Sequence, residues 1–337
     1  MDKKWVCGAA LLWIAASNAL GAVPVTAELV EVQKLWDIAP HNAFTDLLRH
    51  NGKFYCVFRE GRGHVSADGK IRVLASNNAE SWEPLALVAR EGYDLRDPHI
   101  SVTPDGKLML VGGAALRKRD NQRAPTGTFV SFSDGGKRWT QPKIAVEPGR
   151  WLWRVTWHKT KAYGVSYAAK EDTPYLNLLV SSDGVHFQPH VPKLFGEGYP
   201  TEVTLRFYGD GTCYGLVRRD SRKGKPSSAV LGVSKPDYTK WRWHDLGEKF
   251  NSFGGPNFIR MRDGCWVGAG RMHDGRTHTA LTHLDVENGT MTRILRLPSG
   301  GDTSYPGLVW HENILYVSYY SSHEGKTSIY LARVRIE

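Results

Sequence analysis

Acids and arginines recur in this 337-residue chain at one kind of place, beside a short apolar run bounded by turn residues. Arg59-Glu60-Gly61-Arg62 ends the run FYCVF, and Asp68 follows it. Arg96-Asp97 and Glu202 each open such a stretch, Arg218-Arg219-Asp220 and Arg271 end two more, and Tyr305 stands within Ser304-Tyr305-Pro306. Each alone reads as a surface ion pair or a turn residue. Converging guanidinium groups and carboxylates would instead hold an anionic or hydroxyl-rich ligand, because forked, charge-assisted hydrogen bonds suit both. Other chemistries lack their residues. There is no Gly-x-Ser-x-Gly elbow, no phosphate-binding glycine loop and no C-x-x-C pair. His273, His278 and His283 are spaced by five, which fits neither one strand face nor a zinc pattern, and they read as surface or core histidines. The sequence calls for no cofactor and no metal.

A repeat must position these residues. A turn followed by a β-rich run recurs: Asn51-Gly52 before FYCVF, Asp105-Gly106 before LMLVGG, Thr160-Lys161 before AYGVSYA, Asp210-Gly211 before CYGLV, Asp263-Gly264 before CWVGAG and Glu312-Asn313 before ILYVSYY. Positions 52, 106, 161, 211, 264 and 313 give intervals of 54, 55, 50, 53 and 49. Each unit carries a second such run: IRVLAS, GTFVSF, NLLVSS, SAVLGVS, HTALTHL and SIYLARV. The 35 glycines suit tight turns, and 12 Trp, 14 Tyr and 11 Phe suit pleated surfaces. The pattern predicts an all-β, six-bladed propeller of four-stranded antiparallel blades, a single domain over residues 23–337. Residues 26–38 alternate apolar with polar and are expected to add a strand to the last blade, closing the ring. The acids and arginines then lie at the ends of inner strands, on the central face where propellers bind ligands.

Three of the second runs end in related turns: SFSDGGKRW from Ser131, SSDGVHF from Ser181 and SNNAESW from Ser76. In each, an acid or amide side chain satisfies the turn backbone and an aromatic residue plugs the neighbouring sheet. They resemble, in degenerate form, the Asp-box of sialidases and related proteins. Phe132 stands where the box's serine falls, and the other two are a residue shorter between acid and aromatic.

The whole mature chain resembles the sialidase (neuraminidase) superfamily of retaining exo-glycosidases, BNR/Asp-box six-bladed propellers. The segment Val57 to Arg62, with Asp68 behind it, matches the strand and loop that deliver that family's acid/base aspartate. Glu202, with Arg218 sixteen residues on, matches its catalytic glutamate and a carboxylate-binding arginine. Arg271 and Tyr305, 34 apart, match its last triad arginine and its tyrosine nucleophile. The resemblance implies that Tyr305 attacks the sugar with Glu202 as its base, while Asp68 protonates the leaving oxygen and then activates water. It further implies that Arg218 and Arg271 contact substrate; Arg59, Arg62, Arg96 and Asp97, at equivalent strand ends, are expected to do so as well, with bracing of a loop the other reading of Arg96-Asp97. One departure stands out. Ala43 occupies the place of the family's first triad arginine, in the segment His41 to Asp46, and His41, Arg59 or Arg96 would have to compensate.

The expected function is therefore that of a secreted, sialidase-like exo-glycosidase acting on a glycan. Its terminal sugar is a sialic or related 2-keto acid, or another such as a uronic acid. The alternatives are a different glycan-active propeller (an arabinan-type exo-hydrolase or a polysaccharide lyase) and a non-catalytic carbohydrate-binding propeller.

Residues 1–22 read as an export signal: Lys3 and Lys4, an apolar stretch from Trp5 to Leu20, then small residues at Ala19, Gly21 and Ala22. A secreted or periplasmic monomer with no integral membrane association is expected. Net charge is +10 with pI about 9.4, but the basic residues are scattered. The densest run, Arg117-Lys118-Arg119, sits in a polar, loop-like stretch, so no nucleic-acid partner is expected. Cys56, Cys213 and Cys265 each follow a turn and read as small buried hydrophobes, with one disulfide left open.

Overall fold

Each apolar run that follows a turn forms the second strand of a four-stranded antiparallel sheet. FYCVF lies within Lys53–Gly61 and is buried throughout, because both faces of the sheet pack against neighbouring sheets. The second runs of the repeat form the third strands. A computed structural model describes residues 25–117, 123–146, 148–168, 174–220 and 227–337. The expected export signal lies outside them, as do Lys118 and Arg119.

Six sheets stand around an axis: residues 41–88, 93–146, 151–195, 200–245, 254–296 and 303–336. We call them blades one to six, each running from an inner to an outer strand. The chain is all-β apart from one 3-10 turn, Glu248–Phe250, among the described residues. Ala27–Trp36 pairs antiparallel with the last strand, Ser328–Ile336, so blade six contains both ends of the described chain and the ring is closed as expected. No helix among the described residues is long and apolar enough to cross a membrane. Cys56, Cys213 and Cys265 are free thiols, the first two buried and Cys265 half-buried.

The serine-acid turns sit at the ends of the third strands and work as their residue types require. Asp183 Oδ1 accepts the N–H groups of Val185 and His186, both at 2.8 Å. Asn78 does the same for Glu80 and Ser81. A fourth turn has the same build. Asp237 caps Thr239, and Trp241 Nε1 donates to the Tyr238 carbonyl at 2.8 Å, as Trp139 Nε1 does to Gly136.

Polar residues tie the inner strands together along the axis. Asp46 Oδ2 of blade one accepts from Arg154 of blade three at 2.7 Å and from the Ile100 N–H of blade two at 3.0 Å. Burial pushes the Asp46 carboxyl up, but Arg154, His99 and that N–H outweigh it and hold the pKa at about 2. Burial and the Arg154 charge lower the neighbouring His99 to about 4, so it is neutral at pH 7. Both shifts act in one direction. Between about pH 6.5 and 4 the unfolded chain binds a proton at His99 that the native state refuses, and between about 4 and 2 the same holds at Asp46. Chemical denaturation across pH should therefore show stability falling as pH drops through these windows. Asp46→Asn should lose about 2 kcal/mol at pH 7 and flatten the lower one. An unchanged slope below pH 4 in that variant would show that Asp46 does not carry it.

Candidate active site

The register of every inner strand slips at the same place. Against the second strand, pairing jumps from Ala43 to Asp46, Arg96 to His99, Leu152 to Val155, Pro200 to Val203, Gly254 to Asn257 and Ser304 to Gly307. Each jump is a two-residue bulge, which breaks the pleat and re-aims side chains. The first bulge residues are Phe44, Asp97, Trp153, Thr201, Gly255 and Tyr305, and the second are Thr45, Pro98, Arg154, Glu202, Pro256 and Pro306. Phe44, Asp97, Gly255 and Tyr305 take positive φ, at 62°, 46°, 65° and 53°. Such strain in three non-glycine residues persists only where the surroundings impose it.

Two bulges deliver the central pair. Tyr305 OH donates to Glu202 Oε1 at 2.6 Å. Arg218, from the second strand of blade four, places one Nη1 on both, at 2.7 Å from Glu202 Oε1 and 3.1 Å from the phenol oxygen. The other glutamate oxygen accepts the Gly255 N–H at 2.7 Å. Glu202 and Tyr305 are both buried. Burial and the Glu202 charge push the phenol well above its ordinary pKa, against the pull of Arg218 and Arg271. Tyr305 is thus a neutral phenol that donates its O–H to a carboxylate oxygen. Burial opposes the charge of Arg218, but Glu202, Tyr305 and Asp220 outweigh it.

Two further arginines stand around the pair. Arg271 lies over the Tyr305 ring, 5.6 Å from its centre, with only a 3.5 Å contact to the Thr303 carbonyl. Its Nε is buried with no partner, and no ion pair compensates it among the described residues. Arg96 pairs with Asp97 at 2.9 Å and stands 5.0 Å over the Phe44 ring. Asp97 is buried, and burial raises its pKa against the pull of Arg96, with the Glu202 charge adding to the rise.

The structure thus brings Glu202, Tyr305, Arg218 and Arg271 into direct contact and sets Arg96-Asp97 beside them. It places the other candidates differently. Arg59 is fully enclosed, and its guanidinium holds Asp94 at 2.8 Å, the Gly63 carbonyl at 2.8 Å and the Ser66 hydroxyl at 2.8 Å. It braces the loop between the second and third strands of blade one. Asp68 lies on that loop, 35% exposed, paired at 3.3 Å with Arg62, which is 77% exposed. Burial raises the Asp68 carboxyl, but the Ser66 hydroxyl and backbone N–H groups hold it below the usual range. No hydrogen bond or ion pair joins Asp68, Arg62 or Arg59 to Glu202 or Tyr305 among the described residues.

Sequence reasoning missed the walls. Phe44 and Trp153 meet the Tyr305 ring edge-on at 5.3 and 5.5 Å, and Tyr320 lies 6.0 Å away. Asp220 completes the Arg218 bridge at 2.8 Å. Ala43 is fully buried, so Phe44 and Arg96, rather than a substitute cation at 43, occupy that side. A groove of about 830 Å³ lies at the opposite end of blades two and three, between Trp139 and Trp157, and contains none of these residues.

No family model matches the chain, and no curated protein matches it in sequence. Solved structures match its fold. A protein of unknown function from Dyadobacter fermentans is 19% identical with a TM-score of 0.78, over 93% of this chain and 100% of its own. An α-L-arabinofuranosidase of Fusarium graminearum, in complex with arabinobiose, is 13% identical at 0.69, over 90% and 98%. Trypanosoma rangeli sialidase in complex with sialic acid is 11% identical at 0.63, over 93% of this chain and 59% of that one. At such identities the likeness is one of fold.

Gly255 leaves no room for a side chain beside the nucleophile candidate. A Cβ there would stand 2.7 Å from Tyr305 Cα and 2.8 Å from its Cγ, at a φ that disfavours side chains, whereas one on Gly52 meets nothing within 4 Å. Gly255→Ala should therefore cost about 2–4 kcal/mol in denaturant unfolding, and Gly52→Ala about 1. Equal costs would show that the Tyr305 bulge tolerates displacement.

Proposed function

We propose that this chain is a retaining exo-glycosidase that removes a terminal acidic sugar from a glycan, with Tyr305 as nucleophile. The observation that carries the reading is the 2.6 Å hydrogen bond from the Tyr305 phenol to Glu202, held among Arg96, Arg218 and Arg271. A phenol attacks only when a base takes its proton. Glu202 is placed for that and is fixed by two other donors. The phenol oxygen bonds to the anomeric carbon, its proton passes to Glu202, the glycosidic C–O bond breaks, and a carboxylic acid protonates the departing oxygen. In the second half that carboxylate takes a proton from water, the water oxygen bonds to the anomeric carbon, and Tyr305 leaves with its proton returned from Glu202. Propellers of this fold hold sialic acid in one solved neighbour and arabinobiose in another, which supports a glycan substrate. The uncompensated guanidinium of Arg271 supports an acidic one. Membership of the sialidase superfamily, export through residues 1–22 and a monomeric state belong to the same reading.

Asp68 is the proposed acid, on a rim loop where a leaving group passes. Asp97 is the alternative, because its raised pKa suits a proton donor. The leaving group separates them. Replacing the true acid with Asn should lower kcat/KM for an aliphatic alcohol leaving group about 10²–10⁴-fold and leave kcat/KM for an acidic phenol leaving group nearly unchanged, since the latter needs no proton to depart. Replacing the other should slow both alike.

On a panel of sialyl, uronyl and neutral aryl glycosides, Tyr305→Phe should lower kcat by about 10³-fold or more, and Glu202→Gln severely. Arg271→Met should raise KM about 10–100-fold for acidic sugars and little for neutral ones. Full turnover by Tyr305→Phe removes the tyrosine mechanism. An unsaturated, ultraviolet-absorbing product would reassign the chain to a lyase.

A further inference from the structure

A second cluster of chemical side chains lies on the same face, where blade one meets blade six. His41 opens the inner strand of blade one, His64 stands on the loop braced by Arg59, and Asp302 immediately precedes the inner strand of blade six. His41 Nε2 and His64 Nδ1 both aim at one atom, Asp302 Oδ2, at 2.9 and 2.8 Å. The donor atoms all lie within 4.8 Å of one another. The imidazoles meet edge to face, with ring centres 5.6 Å apart and planes at 79°, so they converge on the carboxylate and not on each other.

We propose that His41, His64 and Asp302 form a binding site for one divalent transition-metal ion. Tetrahedral bonds of about 2.0–2.1 Å place adjacent donors about 3.3–3.4 Å apart, so an ion needs each histidine to stand only about half an ångström further from Asp302 Oδ2 than it does now. Two imidazoles and one carboxylate suit ions such as Zn²⁺ or Mn²⁺, whereas Ca²⁺ and Mg²⁺ favour oxygen-only sets. The outer shell is in place as well. Tyr320, fully buried in blade six, donates to Asp302 Oδ1 at 3.0 Å, which orients the carboxylate and leaves Oδ2 for the ion. His41 is a buried, fixed wall, while His64 is 48% exposed and Asp302 28%, giving an entry path and room for exchangeable ligands.

The position gives the ion a task. It would clamp the loop carrying Asp68 onto blade six, three residues before Tyr305. It would also supply positive charge two residues from Ala43, where the sialidase-like pattern expects an arginine. Phe44, 5.1 Å from the His64 ring and 5.3 Å from the Tyr305 ring, separates the ion from the nucleophile. The site stands on its own geometry, so its test needs no substrate and is independent of the glycosidase reading.

The full-length chain, stripped with EDTA and dialysed, should take up one Zn²⁺ or Mn²⁺ per molecule in isothermal titration. Co²⁺ should give the visible absorption of a nitrogen–oxygen-ligated ion, and hydrogen exchange of residues 62–69 should slow on loading. His64→Ala and Asp302→Asn should each weaken uptake at least ~100-fold, while His311→Ala, a histidine elsewhere on blade six, should leave it unchanged. His64 is exposed enough that its variant keeps the test valid even where Asp302→Asn fails to fold. Absence of one-to-one uptake at millimolar Zn²⁺ and Mn²⁺, or uptake indifferent to His64→Ala, would overturn the site and leave two imidazoles hydrogen-bonded to one carboxylate.

Discussion

Everything at the centre of this molecule depends on the six bulges of the inner strands. A regular strand would alternate its side chains between the two neighbouring blades and present none to the axis end. The extra residues turn Tyr305, Asp97, Phe44, Trp153 and Glu202 into a common space, and each blade holds its neighbour's bulge in place. Thr45 of blade one donates to the Tyr305 carbonyl at 2.8 Å, Thr204 of blade four to Pro256 at 2.6 Å, and Asn257 of blade five to Pro306 at 2.9 Å. These are the backbone groups that a bulge removes from the ladder, and a buried unpaired carbonyl would be costly. The strained φ of Tyr305 is thereby fixed from the adjacent blade.

That scaffold explains how several ionic groups remain buried together. Breaking a buried pair costs about 3–5 kcal/mol, so each cation needs its anion or a ligand. Arg59 has Asp94, Arg96 has Asp97, and Arg218 has both Glu202 and Asp220. Among the described arginines around Tyr305, Arg271 is the exception, resting on the face of an aromatic ring, where cation–π attraction offsets part of its desolvation. A carboxylate-bearing sugar would supply the missing anion.

The architecture was legible in the sequence because turn chemistry is local. Asn-Gly and Asp-Gly at regular intervals mark the hairpins, and the apolar runs behind them became the second strands without exception. The juxtaposition of Glu202 and Tyr305, 103 residues apart, was reachable only through the family resemblance. The difference between Arg59 and Arg62 was not legible at all. It depends on Asp94, one blade away, which draws Arg59 into the core and leaves Arg62 in solvent. The bulges did leave a signal. Arg96-Asp97-Pro98, Gly254-Gly255-Pro256 and Ser304-Tyr305-Pro306 place proline at the second bulge position of blades two, five and six, where a missing N–H breaks no ladder bond. The His41–His64–Asp302 cluster left none, since ring closure is what brings residue 302 to residue 41.

The double contact of Arg218 bears on why a phenol can serve here. In the proposed mechanism the negative charge sits on Glu202 Oε1 before attack, and as the proton moves it shifts to the phenol oxygen, 2.6 Å away. A counter-ion fixed on either atom alone would oppose the transfer or the return. Arg218 Nη1 lies within hydrogen-bond reach of both, so the charge moves under a cation that need not move with it, and Asp220 at 2.8 Å from its Nε keeps that cation in place. Arg271, over the ring face, stabilises the tyrosinate side more than the glutamate side because its charge couples to Tyr305 more strongly than to Glu202. Preorganised charges of this kind act in a water-poor pocket without reorganising during the reaction. The neutral, high-pKa phenol of the resting state and the proposed nucleophile are then two protonation states of one fixed geometry.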